Sequence, residues 1–388
     1  MSALPELTTY AAIDLDALDR NIRAMQDRIG PSVELIPVIK ANAYGHGAVP
    51  VGRAALVSGV KRLAVARPDE GVQLRRAGIE APVLVMGYAI PAEAGLYVEN
   101  HLTATVNTLD VAEALSARAA RLGVTATVHL KVDTGMGRFG LLPDEVVPFA
   151  GKIGRLPHVD LEGIFTHFAT SDEQDKTYVN QQLERFVHVL DELRAAGIEV
   201  RLRHAANSGA ILDTPEAYFD AVRSGVMTYG MYPSDQVSHS IPLQPILSLH
   251  SHVGRVRTLP TGSTVGYGRM WTAARPTTVA LIPIGYGDGY RRSLTNRGVM
   301  LIGGRRAPLI GRVSMDQIVA DITDLDGVQQ NDPVVLLGRQ GDECLTAEEL
   351  AFLAGTINYE VTTGLLPRLP RLYLRGGEVV EVLRPLVD

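Results

Sequence analysis

The sequence predicts an α/β protein, a (β/α)8, TIM-like barrel followed by a mostly β C-terminal domain. Three observations lead there. Before residue 230, about eight short apolar runs alternate with helical patterns. A stretch rich in Pro and Ser, Tyr232–Pro245 (YPSDQVSHSIPLQP), then interrupts the alternation. Beyond it strand-like runs dominate, punctuated by turns such as TGS, GGRRAP and NDP.

A first helix is expected at Asp16–Ile29, where Leu18, Ile22, Met25 and Ile29 recur at three- and four-residue steps. Strands follow at Leu35–Lys40, Arg62–Ala66, Val83–Met86, Leu102–Val106, Thr125–Val132, Val159–Phe168, Val200–Ala205 and Phe219–Val222. Helical patterns such as Thr108–Leu122 and Lys176–Ala196 separate them. Short runs rich in Val, Ile and Leu suit strands buried on both faces of a parallel sheet. A doubly wound open sheet is the competing architecture. After the linker, strands are expected at Ile246–Thr258, Thr277–Ile284, Val299–Ile302, Ala307–Ile310, Ile318–Ile322 and Val334–Leu337. The early run Thr8–Ile13 could add another. The domain reading is a barrel at 11–236 and a β domain at 237–388 that also takes in 1–10.

The chain has 388 residues, 46% of them hydrophobic and 21% charged, the balance of an ordinary globular protein. Its net charge is −6 and its basic residues are scattered, which argues against nucleic acid or a membrane surface as partner and for a small molecule. Cys344 is the single cysteine, so an intramolecular disulfide is impossible and a reducing compartment fits. The N-terminal residues lack a basic segment followed by an apolar one, and no apolar run nears the roughly 20 residues that span a bilayer. A cytoplasmic location is expected. No cluster has metal-ligand spacing and no nucleotide-type phosphate loop occurs, so no metal is expected.

In such barrels, polar residues at the C-terminal strand ends carry function. Lys40 ends the first run; Lys131, Asp133 and Arg138 follow the fifth; His167 closes the sixth. Asn207 and Ser208 follow the seventh, and Arg223 the eighth. Burial of Lys40 favours its neutral amine, the form that Schiff-base chemistry needs. A lysine that merely snorkels to the barrel rim is the bland reading of the same position.

The segments VIKANAYGHG, KVDTGMGRFG, THFA, NSGA, VRSGVMTYG, VGYG, PIGYGDGY and GRVSMDQ occur in this order. Together they resemble the alanine racemase family, and the resemblance runs from Tyr10 to Leu374. It implies a barrel that binds pyridoxal 5'-phosphate (PLP), a β domain, and a homodimer with shared active sites. The implied activity interconverts L- and D-alanine, for D-alanine biosynthesis and the cell wall, through a PLP aldimine with two opposed bases. Those bases would be Lys40 and Tyr267 of the partner subunit. One base on each face of Cα removes and returns the proton without turning the substrate over. A phenol ordinarily ionises near about 10 and needs positive or hydrogen-bonding neighbours to act near neutrality, for which the resemblance offers His167 and Arg223.

By the same resemblance, Arg223 faces the pyridine nitrogen of PLP, and an arginine there keeps that nitrogen unprotonated. His167 lies near the cofactor. Asn207, Ser208, Gly225 and Val226 form the phosphate end, with hydroxyls from Tyr44 and Tyr359. Arg138 binds the substrate carboxylate or the cofactor phenolic oxygen, with Met315 of the partner subunit nearby. Lys131 matches a lysine that many family members carry as a carbamate (N6-carboxylysine); a bound chloride is the other way to balance Arg138. Tyr286, Arg292 and Arg312 match positions lining the entry channel, with Asp316 an ion-pair partner for one of these arginines. Two other readings compete: a PLP-dependent decarboxylase of basic amino acids with the same fold, and a non-catalytic PLP carrier. The first ordinarily supplies a catalytic cysteine, which Cys344 does not match. The second resembles the barrel alone.

Overall fold

The computed structural model describes residues 7–384 and 387. Residues 1–6, 385, 386 and 388, which the sequence reading places in the β domain, lie outside the described residues. Two compact units emerge. One comprises Leu18–Ala43 and Ala48–Gln244; the other comprises the described residues up to Ala17, Tyr44–Gly47, and those from Pro245 on.

The first unit is built on eight parallel strands: β1 (Glu34–Pro37), β2 (Leu63–Val65), β3 (Val83–Val85), β4 (Leu102–Val106), β5 (Ala126–Lys131), β6 (Val159–Phe165), β7 (Leu202–His204) and β8 (Ala221–Ser224). From β2 onward each pairs with the next in sequence, β8 pairs with β1, and a parallel bridge from Val38 to Ala64 all but closes the ring between β1 and β2. The barrel is thus the one expected, and the open doubly wound sheet is excluded. Every residue of β2, β3 and β4 is buried, which explains their unbroken Val, Leu, Ala and Thr character. Outside, helix Leu15–Ile29 buries Leu18, Ile22 and Met25 completely. Burial of each such side chain contributes about 1.5–3 kcal/mol.

Several strands stop short of the apolar runs that announced them. β1 ends at Pro37 and β6 at Phe165. The residues beyond remain tied to the barrel, as Val38 N–H donates to Ser224 O at 2.8 Å and Ile39 N–H to Ala64 O at 2.8 Å. Those overhanging residues lead directly into the functional segments.

The second unit is mostly β, an 11-stranded sheet among the described residues. The expected run Ile246–Thr258 divides at Val253–Gly254 into Leu247–His252 and Arg255–Leu259, which occupy separate places in that sheet. Tyr10–Asp14 does join it, antiparallel to Leu247–His252 and parallel to Arg371–Arg375. Arg371–Arg375 and Glu378–Leu383 were not foreseen. Their charged residues disguise them, and Arg371 is buried there with its guanidinium donating to the carbonyls of Gly45, Leu365 and Leu369. Cys344 lies in the short strand Glu343–Leu345. Thr346 caps the following helix by accepting from Glu349 N–H at 3.2 Å. The Glu349 carboxylate pairs with Arg306 at 2.5 Å.

Candidate active site

In the barrel unit the candidate residues gather just past the C-terminal ends of the strands. Lys40 follows β1 and opens a tight turn, Lys40–Tyr44. Ala41, Asn42, Ala43 and Tyr44 all have positive φ, at 52°, 55°, 54° and 52°. Four consecutive left-handed residues without glycine are unfavourable by roughly 1–2 kcal/mol each, so the surroundings must impose the shape. Glu70, on helix Pro68–Arg76, supplies part of that restraint. Its carboxylate accepts from Ala41 N–H at 2.5 Å and from the N–H groups of Ala66 and Arg67 at 2.8 and 3.0 Å. Asn42 Oδ1 accepts from Ala48 N–H at 2.9 Å. Burial and the charge of Arg138 lower the pKa of Lys40, with Glu70 opposing them.

Lys131 is the last residue of β5, almost fully buried, and its amine lies over the Phe139 ring. Burial, then Arg138 and Arg223, bring it down to about 7. Asp133, two residues on, opposes that shift and also organises the loop. Its carboxylate accepts from the N–H groups of Gly135 and Gly137 at 3.0 Å and of Arg138 at 3.2 Å. Although burial raises its pKa, these hydrogen bonds together outweigh it and hold the carboxyl below its ordinary value. Arg138 itself is exposed at the rim.

Arg223, in β8, is buried and richly bonded. Nη1 donates to His204 Nδ1 at 2.8 Å and His204 O at 3.0 Å; Nη2 donates to Thr166 O at 2.7 Å and Ala205 O at 2.9 Å. Burial lowers it to about 9, so it is still a cation at neutral pH. Nη2 also lies 3.4 Å from His167 Nδ1. Arginine has only donors, so that nitrogen is the acceptor and the His167 proton sits on Nε2. Burial and the cations Arg223, Lys131, Arg138 and Lys40 hold the pKa of His167 well below its ordinary value.

Asn207 and Ser208 follow β7. Asn207 caps helix Ser208–Asp213 by accepting from Ala210 N–H at 3.2 Å, and Ser171 Oγ donates to it at 2.7 Å. Ser208 Oγ accepts from Gly225 N–H at 3.0 Å, which draws the ends of β7 and β8 together. Val226 begins the 3-10 turn Val226–Tyr229.

The remaining candidates belong to the β unit. Tyr44 and Tyr359 face each other with ring centroids 6.1 Å apart. Tyr267 is 73% exposed, between Gly266 and Gly268, whose φ values of 70° and 74° make a sharp bend that side chains rarely tolerate. Arg312 packs beside that bend, its Nη2 2.8 Å from Met270 Sδ. Tyr286 N–H donates to Ser314 O at 3.0 Å and Gly287 N–H to Met315 O at 2.9 Å, placing Tyr286 beside the exposed Met315. Arg292 is exposed at the head of the 3-10 turn Arg292–Leu294. Asp316 pairs with neither Arg292 nor Arg312. Arg368 Nη2 binds it at 2.8 Å while its Nε binds Asp288 at 2.7 Å.

Sequence reading overlooked Glu70, Glu162, His129, His204 and Arg368. The signal for three of them was present, since His129, Glu162 and His204 each interrupt an apolar barrel run. Among the described residues no group of His, Cys, Asp and Glu is placed to hold a metal, and no helix is long and apolar enough to cross a membrane.

A parallel barrel with an amine of lowered pKa and a concentration of cations at its strand ends has the layout of a barrel enzyme's active site. The family model for the alanine racemase N-terminal domain matches residues 13–233, and that for the C-terminal domain matches residues 246–373. The alanine racemase of Symbiobacterium thermophilum is 47% identical, covering 95% of this chain and 97% of its own. That of Carboxydothermus hydrogenoformans is 46% identical over 94% and 99%. Among solved structures, alanine racemase from Clostridium difficile superposes with a TM-score of 0.95 at 37% identity, covering 99% of this chain and 100% of that one. The Bacillus anthracis enzyme with bound L-Ala-P gives 0.93 at 38% identity, with 99% of each chain covered. The chain belongs to the alanine racemase family. It is accordingly an isomerase, and the racemase reading stands over the decarboxylase and carrier readings.

Proposed function

We propose that this chain racemises alanine with PLP as cofactor, as a cytoplasmic homodimer, with Lys40 and the partner subunit's Tyr267 as the two bases. One observation carries the reading: Lys40, with its lowered pKa, is gathered with Lys131, Arg138, His167 and Arg223 at the C-terminal ends of the barrel strands.

The donor set fits the cofactor. Lys40 would hold its aldehyde carbon, Arg223 its pyridine nitrogen, and Ser208, Gly225 and Val226 its phosphate, with Asn207 shaping that end and Tyr44 and Tyr359 adding hydroxyls. When bound, PLP supplies the electron sink that makes the Cα proton of an amino acid removable. The protein's part is to place bases and charges. The lowered pKa of Lys40 leaves more of its amine neutral, the form able to take a proton from Cα. Arg138 presents a fork of donors suited to a planar carboxylate, and Asp133 fixes the loop that carries it. Arg223 keeps its own proton, so it stabilises charge without acting as an acid. The exposed Tyr267, set on a two-glycine bend, suits delivery of a phenol to a second subunit. Met315 would accompany it, and Tyr286, Arg292 and Arg312 would line the approach for a small anion. Lys131, as a carbamate, would turn a repulsive neighbour of Arg138 into an attractive one.

A chirality assay over a panel of single enantiomers, with and without added PLP, tests this. Interconversion of L- and D-alanine that depends on PLP is expected. Release of carbon dioxide from a basic amino acid, with no change of chirality in any small one, would overturn it.

A further inference from the structure

Below the mouth of the barrel, the pairing of β5 and β6 contains a bulge. Val128 pairs with Leu161 and His129 with Gly163, which leaves Glu162 as the extra residue. Bulges re-aim side chains, and here the Glu162 carboxylate reaches His129. Oε2 accepts from His129 Nε2 at 2.9 Å and from Arg62 Nη1 at 2.9 Å; Oε1 accepts from Arg62 Nη2 at 2.9 Å. On the other side, His129 Nδ1 lies 3.0 Å from His204 Nε2, and His204 Nδ1 lies 2.8 Å from Arg223 Nη1. Both rings are fully buried. Gly163 makes room, since a Cβ there would come within 2.6 Å of the His129 ring. Phe165 stacks on His204 at 4.9 Å between centroids.

The proton positions follow from the ends of this chain. Arg223 can only donate, so His204 Nδ1 accepts and its proton is on Nε2. That proton is given to His129 Nδ1, which leaves the His129 proton on Nε2, directed at Glu162. Only an ionised carboxylate, held so by Arg62, accepts it without conflict. Burial keeps both imidazoles neutral, aided by the neighbouring cations Arg62 and Arg223. The Glu162 carboxyl sits at about 2, because hydrogen bonds from His129 and Arg62 outweigh the effect of its burial.

We propose that Glu162 and His129 are positioning residues: from within the barrel they supply the acceptor for the Nε2 proton of His204 and so anchor that ring in the tautomer that holds Arg223 in place at the reacting end. This rests on the reading of Arg223 as the residue facing the cofactor nitrogen. Neither Glu162 nor His129 touches substrate. Their effect is carried by the direction of three successive hydrogen bonds.

Long-range 1H–15N spectra of the purified protein labelled at histidine nitrogen read the tautomers directly. Both His129 and His204 are expected as neutral Nε2–H forms. In Glu162→Gln, a carbonyl turned to Arg62 leaves an amide donor facing His129 while Arg223 still donates at the other end, so no tautomer pair satisfies the chain and both histidines should become mixtures of Nδ1–H and Nε2–H forms. His129→Leu, which removes the acceptor without adding a donor, should leave His204 as the Nε2–H form held by Arg223 alone, its proton without an acceptor. In each variant kcat for alanine should fall about tenfold with KM little changed, the scale on which orienting partners act. An Nδ1–H or imidazolium His204 in the wild type would overturn the proposal, as would mixed tautomers in Glu162→Gln with unchanged kcat. Expected tautomers in a protein that does not racemise alanine would refute the proposed function and leave the proton order standing. Contrary tautomers in an active enzyme would do the reverse.

Discussion

The Lys131 amine lies 3.7 Å from the centroid of the Phe139 ring, although a carboxylate stands only two residues away at Asp133. The carboxylate is engaged with the N–H groups of its own loop. Burial, together with Arg138, Arg223 and Lys40, outweighs the opposing charge of Asp133, and the pKa of Lys131 falls to about 7. Below that pH the amine is protonated and inert toward carbon dioxide; above it the neutral form predominates and can be carbamylated. With 13C-bicarbonate, a carbamate carbonyl signal should grow as pH rises from 6 to 8 and be missing in Lys131→Gln. A wild-type protein with no such signal at pH 8 would remove the carbamate and leave an anion such as chloride to balance Arg138.

Arg223→Gln should destabilise the fold as well as the site. The substitution removes donors from the buried carbonyls of Thr166, His204 and Ala205 and from His204 Nδ1. Each buried acceptor left unsatisfied is worth about 1–3 kcal/mol. A loss of at least about 3 kcal/mol in urea unfolding is expected on that scale. A loss below about 1 kcal/mol would mean that water or the glutamine amide replaces the guanidinium.

The barrel was legible because its strands are buried on both faces, so that Val83–Val85 reads as an unbroken apolar run and Leu102–Val106 as one broken only by Thr103 and Thr105. The candidate site was legible for the complementary reason, since Lys40, Lys131, His167 and Arg223 punctuate those runs at their C-terminal ends. What could not be read was set by distant partners. Ala41, Ala43 and Tyr44 carry no local preference for a left-handed turn, Asn42 being the one residue of the four that does, and Glu70 lies 29 positions from Ala41. Asp316 sits near two candidate arginines in sequence, but bonds Arg368, which also holds Asp288. Glu162 reaches His129 through a bulge that no spacing rule announces.

Lys40→Ala should abolish the visible chromophore of the purified protein together with its activity. The amine is the only group in the Lys40–Tyr44 turn able to bond covalently to an aldehyde. A borohydride-reducible adduct that survives the substitution would place the attachment elsewhere.

Tyr267→Phe keeps the ring on its two-glycine bend and removes only the hydroxyl, so folding should be unaffected. With opposed bases, each enantiomer gives its proton to a different residue. Exchange of the Cα hydrogen with deuterated solvent should then fall about 100-fold or more for one enantiomer and much less for the other, on the usual scale for loss of a general base. Equal losses from both would argue for a single base serving both faces.

Asp133→Ala separates positioning from chemistry in the loop that carries Arg138. The Asp133 carboxylate gathers the N–H groups of Gly135, Gly137 and Arg138 into one turn, and two of those three residues are glycines with positive φ. Without it the loop keeps its flexible residues and loses the anion that organises them. Arg138 would sample more positions while Lys40 remains held by Glu70 through Ala41 N–H. The expected outcome is a KM for alanine raised about tenfold with kcat nearly unchanged, corresponding to about 1.4 kcal/mol of lost substrate binding. Steady-state kinetics in both directions check it. A fall in kcat at constant KM would instead assign Asp133 to the reaction itself, by way of Lys131.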